Sequence, residues 1–165
     1  MAHATGRRRS AILRPVDELY LEDLEIGRSY GSGEALVSED EIIEFAERFD
    51  PQPFHTDPVA ATESVFGHLV ASGWHTAALT MRLRVTSDLR LAGGWIGMGI
   101  ESMKWPKPVV PGDRLTVTVE VIEKRESKSR ADRGVIRVRT STFNQRGELV
   151  FETVSVQAVF RRGRP

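Results

Sequence analysis

No cysteine occurs in the 165 residues. Disulfides, thiolate nucleophiles and cysteine-ligated zinc are therefore excluded, and the chain suits a reducing cytoplasm. No run of about 18 apolar residues is present either, so no membrane span is expected. The opening "MAHATGRRRS" has a basic cluster but no apolar stretch behind it, and does not read as a secretory signal. Net charge is zero, with 23 Lys and Arg against 23 Asp and Glu. Setting aside Arg7, Arg8 and Arg9 at one end and Arg161, Arg162 and Arg164 at the other leaves −6 on residues 11–160. An acidic body makes a poor nucleic-acid surface, and the basic tips read as solvated, frayed ends. G-x-S-x-G, P-loop and H-x-x-x-H patterns are missing, and "GGWIGMG" lies in an apparent strand without a helix after it. No metal site is expected.

What remains reads as one domain over residues 16–161, with a tail over 1–15 and another over 162–165. "RSYGSGEALVS" (28–38) reads as a strand. Ser38 and Glu41 then form a capping box, and Ile42, Ile43, Ala46 and Phe49 follow at helical spacing. After a proline-rich loop, Asp57-Pro58 has the pattern of an N-cap with proline at N1, opening a short helix "VAATESVF". The strongest helix is "SGWHTAALTMRLRVTSDL" (72–89), where Trp74, Ala77, Ala78, Met81 and Val85 form a stripe that Leu79 and Leu83 extend to another face. Such a helix is expected to be buried on most sides. Four long alternating β-branched segments follow, at 94–105, 113–127, 134–145 and 148–161. Their three connections predict consecutive hairpins. A sheet of about five antiparallel strands curled around one helix covers only one face of it and leaves its edges open, so a dimer or a multiple of dimers is expected.

The chemistry concentrates in "FDPQPFHTDP" (49–58). Asp50 and His55 lie just past a helix end, on a segment stiffened by Pro51 and Pro53. Rigid placement of a carboxylate beside an imidazole is what general acid–base catalysis on a water molecule requires. A purely structural histidine and a turn-capping aspartate are the alternative reading, while His68 and His75 are assigned to packing or capping. A second stretch, "VASGW" (70–74), places Ser72 and Gly73 at the start of the long helix. Free amides there suit a developing negative charge, and glycine permits close approach of a carbonyl. Alternatively, Ser72 is an N-cap only and Gly73 only relieves crowding. Lys104, Lys107 and Arg114 are candidates for phosphate contacts or plain solvated positions.

"FAERFDPQPFHTDPVAA", "FGHLVASGWHTAALTMRL" and "WPKPVVPGDRLTVTVEV" resemble, in that order, the MaoC-like dehydratases, the family of (R)-specific enoyl-CoA hydratases. The family loop is Asp-x-Asn-Pro-x-His, and the chain has Gln52 where the family usually has Asn. The resemblance implies an α+β hotdog fold, usually dimeric. It implies Asp50 and His55 as the catalytic pair and the Gly73 amide in an oxyanion hole. Ser72 is expected beside Gly73 at that site, and Trp74 and Phe54 are expected to shape the acyl pocket near the long helix. It also implies hydration of acyl thioesters of coenzyme A or acyl carrier protein without a metal or redox cofactor. A hotdog thioesterase and a non-catalytic partner subunit of a heterodimeric dehydratase are the rival expectations.

Overall fold

The computed structural model describes residues 18–163. The expected tail over 1–15 lies outside that range. A 3₁₀ turn at Leu21–Asp23 precedes strand β1, Ser29–Leu36. Four helices follow: α1, Glu39–Phe49; α2, Pro53–Thr56; α3, Pro58–Ala61; and α4, Gly73–Val85. Strands β2, Ile96–Lys104, β3, Arg114–Glu126, β4, Arg133–Phe143, and β5, Leu149–Phe160, complete the chain. All five strands form one antiparallel sheet in the order β1-β3-β4-β5-β2.

Alternation creates the layer. Leu115, Val117, Val119 and Val121 of β3 are buried on one face, with Ile136 and Val138 of β4 beside them. Leu79 and Leu83 of α4 belong to the same core, and a buried Thr80–Thr142 hydroxyl pair at 2.7 Å ties α4 to β4. The sheet covers only this side of the helix. Trp74, Met81 and Val85 stay 60%, 46% and 50% exposed, so most of the predicted stripe faces outward. Met98 and Ile100 on edge strand β2, each 60% exposed, extend that apolar surface.

Three further expectations change. Only β3–β4 and β4–β5 are hairpins, because β2 pairs with β5 and β3 pairs with β1 on the far side. The "PKPVVPGD" segment crosses between them: three prolines lack the N–H groups a tight hairpin needs. Its free carbonyl at Val109 instead accepts from the Ala71 amide at 2.8 Å. Gly112 completes the turn at φ 86°, in the left-handed region that glycine tolerates. Secondly, the helix expected over 59–66 stops at Ala61, where Thr62 and Ser64 hydroxyls donate to the Val59 and Ala61 carbonyls and tighten the chain into turns. Finally, Arg161 and Arg162 are not frayed: Arg161 pairs with Glu22 and Glu126, and Arg162 with Asp23.

Candidate active site

Asp50 stands where α1 stops, its amide donating to the Ala46 carbonyl as the last bond of the helix. The predicted capping box at the other end of α1 is present. Pro53 sits in the first turn of α2, so the segment carrying His55 is a helical turn rather than an open loop. Asp57 then caps α3 by accepting from the Val59 and Ala60 amides. Two helix ends and two prolines therefore fix the five-residue spacing between Asp50 and His55.

The Asp50 carboxylate is doubly held. Oδ2 accepts from the Ser72 hydroxyl at 2.7 Å, and Oδ1 accepts from the Gln52 side-chain amide at 2.7 Å. Burial opposes the charge, but the bonds from Ser72 and Gln52, followed by the field of His55, outweigh it. They hold Asp50 below the usual aspartate range.

His55 is buried, with Nδ1 2.7 Å from the Val70 carbonyl oxygen. A carbonyl can only accept, so Nδ1 carries the proton and donates. Nε2 is left facing Asp50 Oδ2 at 3.4 Å. In the neutral ring these are two acceptors turned toward one point. A water molecule placed there donates one hydrogen to each.

The pair opens onto a cavity of about 640 Å³, walled by Phe54, Phe66, Gly73, Trp74 and Trp105. Gly73 is the first residue of α4, and among the described residues its amide has no hydrogen-bond partner. Its carbonyl accepts from Trp105 Nε1 at 2.8 Å. A Cβ at Gly73 would lie 3.0 Å from the Trp105 ring, so any larger residue here must push the indole away. The Trp105 ring in turn meets Trp74 edge-on at 5.9 Å.

Five of the six residues singled out from sequence thus line one cavity: Asp50, Phe54, His55, Gly73 and Trp74. Ser72 does not. It is fully buried behind the cavity wall, where its oxygen accepts from the Trp74 amide at 3.2 Å and its hydroxyl donates to Asp50. The expected substrate contact is replaced by a dual role, capping α4 and orienting Asp50. Gln52, Val70 and Trp105 escaped the sequence reading as site residues. Gln52 lay inside the quoted segment and Trp105 just before "PKP", whereas a backbone carbonyl such as that of Val70 leaves no trace in residue identity. Of the basic candidates, Lys107 pairs with Glu148 at the cavity rim and Arg114 with Glu34. His75 packs as expected, its ring stacked on Phe45 at 4.8 Å.

Known proteins share this sequence pattern and this fold. Residues 23–143 match the family model described as a MaoC-like domain. The crystal structure of a MaoC-like dehydratase from Rhodospirillum rubrum superposes with a TM-score of 0.85 at 50% identity, covering 88% of this chain and 99% of that one. YdeM, an uncharacterized protein of Bacillus subtilis, is 33% identical over 80% of this chain and 92% of its own length. The 3-hydroxybutyryl-CoA dehydratase of Methylorubrum extorquens is 33% identical over 68% of this chain and 70% of its own. A family match across most of the domain, on a sheet that curls around one helix, places the chain among the MaoC-like dehydratases, with their hotdog fold.

Proposed function

We propose that the protein hydrates trans-2-enoyl thioesters reversibly to (3R)-3-hydroxyacyl thioesters. One observation carries the reading: Asp50 Oδ2 and His55 Nε2 converge at 3.4 Å with the Nδ1 proton committed to Val70. Two acceptors so placed hold a water by both hydrogens and aim its oxygen lone pair outward into the cavity. Attack at C3 forms the C–O bond and pushes the alkene electrons onto the thioester oxygen. The unpartnered Gly73 amide at the positive end of α4 receives that charge. The Asp50/His55 pair takes one water proton and returns it to C2, so the sum is addition of water and nothing else. No cofactor is called for.

Support for an acyl-CoA substrate comes from the name of the Methylorubrum relative, a 3-hydroxybutyryl-CoA dehydratase; carrier protein and coenzyme A present the same thioester. The working unit in this proposal is a homodimer, since the outward stripe of α4 and edge strand β2 leave Trp74, Met81, Val85, Met98 and Ile100 uncovered on one side. Light scattering at micromolar protein tests this, and a stable active monomer refutes it. Purified protein mixed with crotonyl-CoA tests the chemistry. Enoyl absorbance should fall with no release of free thiol. Thiol release would identify a thioesterase, and an inert protein would fit a non-catalytic partner subunit.

A further inference from the structure

A second cavity of about 230 Å³ lies between α4 and strands β2 and β5. Gly73, Ala77, Thr80 and Arg84 succeed one another at intervals of four, three and four residues, so they share one face of α4. Gly73 lines the catalytic cavity, and the other three line the second one. Small side chains thus line one face of α4 from the candidate oxyanion site to an arginine. Gly97 and Gly99 lower the opposite wall, and Ile100 and Met103 make it apolar.

Arg84 is only 3% exposed, and no carboxylate pairs with it among the described residues. Its guanidinium lies 3.7 Å over the Trp95 ring, and Nη1 makes a long 3.4 Å contact with Ser155 Oγ. Among the described residues Nε and Nη2 are buried without a hydrogen-bond partner, and so is the indole Nε1 of Trp95, which lines the same cavity. All three are groups that only donate. Nε and Nη2 are also the two donors along one edge of the guanidinium, the edge a carboxylate grips with both oxygens. Burial lowers the Arg84 pKa to about 10, which leaves it cationic at neutral pH. A buried cation with its bidentate edge unused is costly without an anion.

We propose that Arg84 receives a carboxylate at the far end of the acyl group, so that the substrates are ω-carboxyacyl thioesters. The inference rests on the hydratase reading of the neighbouring site. From Gly73 to Arg84 the helix rises about 16 Å, a span that a medium-length acyl chain and the length of the arginine side chain cover together. Trp105, packed on Phe151 at 5.6 Å, forms the partition between the cavities. An acyl chain that spans both cavities must displace this ring from Phe151.

Binding of unreactive saturated thioesters tests this without relying on turnover. Glutaryl-, adipyl- and suberyl-CoA are titrated calorimetrically beside pentanoyl-, hexanoyl- and octanoyl-CoA. At the best length the carboxylated ligand should bind tenfold or more tighter, as expected for about two charge-assisted hydrogen bonds. Arg84→Met, which keeps volume, should abolish or invert that preference. Arg84→Lys, charged but without the fork, should retain only part of it. A wild type that favours the neutral chain at every length, that binds no carboxylated thioester, or whose preference survives in Arg84→Met overturns the proposal. The wild-type comparison needs no variant to fold. Crotonyl-CoA hydration, assayed in parallel, separately decides the hydratase reading.

Discussion

Ser72 offers the sharpest test of how the fold serves the site, because one hydroxyl group performs two tasks. It accepts from the Trp74 amide at the start of α4 and donates to Asp50 Oδ2 at 2.7 Å. Ser72→Ala removes both. Loss of a serine N-cap costs about 0.5–2 kcal/mol, and a hydrogen bond to a charged group contributes about 1.5–3 kcal/mol. The two overlap through one atom, so about 2–3 kcal/mol is the expected total. At about 2–4 °C per kcal/mol for a chain of this size, the melting temperature should fall by about 4–12 °C. Ser72→Gly separates the tasks, because glycine at an N-cap costs only a few tenths of a kcal/mol relative to serine, while the bond to Asp50 is lost just as in the alanine variant. Both variants should therefore hydrate crotonyl-CoA about equally poorly, on the order of tenfold below wild type if the lost orientation is worth about 1.4 kcal/mol in the transition state. They should also need a higher pH for activity, since Ser72 is the chief group drawing the Asp50 pKa down. Thermal unfolding and rate–pH profiles on the two variants supply the readings. If either variant keeps wild-type turnover and an unmoved acid limb, the bond from Ser72 does not hold the reactive carboxylate.

Three other outcomes follow from the same geometry. Asp50→Asn and His55→Ala should each lower hydration about 10²–10⁴-fold with the fold intact by circular dichroism; near-full turnover in both would remove the acid/base assignment. Gly73→Val should cost about 10²-fold, because a Cβ there already meets the Trp105 ring at 3.0 Å, and an active, folded valine variant would move the oxyanion role elsewhere. Asp50 is held below its ordinary pKa, so its ionised form stabilises the native state above the unfolded value of about 3.9, and that contribution is lost as pH falls through the lower folded value. The stability gap between wild type and Asp50→Asn should accordingly be constant near neutrality and shrink below about pH 4 in chemical-denaturation series; a gap that widens on acidification has the wrong sign.

What residue order determined by itself is whatever depends on neighbours a few positions apart. The capping box of Ser38 and Glu41, the Asp57 cap, the start of α4 at Gly73 and the alternation of β3 to β5 were all legible. So was the Asp50/His55 pairing, since two prolines and two helix ends set its geometry locally. Tertiary structure alone decided the rest, because partners there lie far apart in sequence. The pairing of β2 with β5 instead of β3 is a choice among edges with similar alternation. The proton on His55 Nδ1 is placed by a carbonyl fifteen residues away, and Asp50 is oriented by a serine twenty-two residues on. Arg84 reads in sequence as one more cation on a helix. Only the closing of the sheet over α4 takes it out of water, stacks it on Trp95 and leaves Nε and Nη2 buried without a partner beside a cavity.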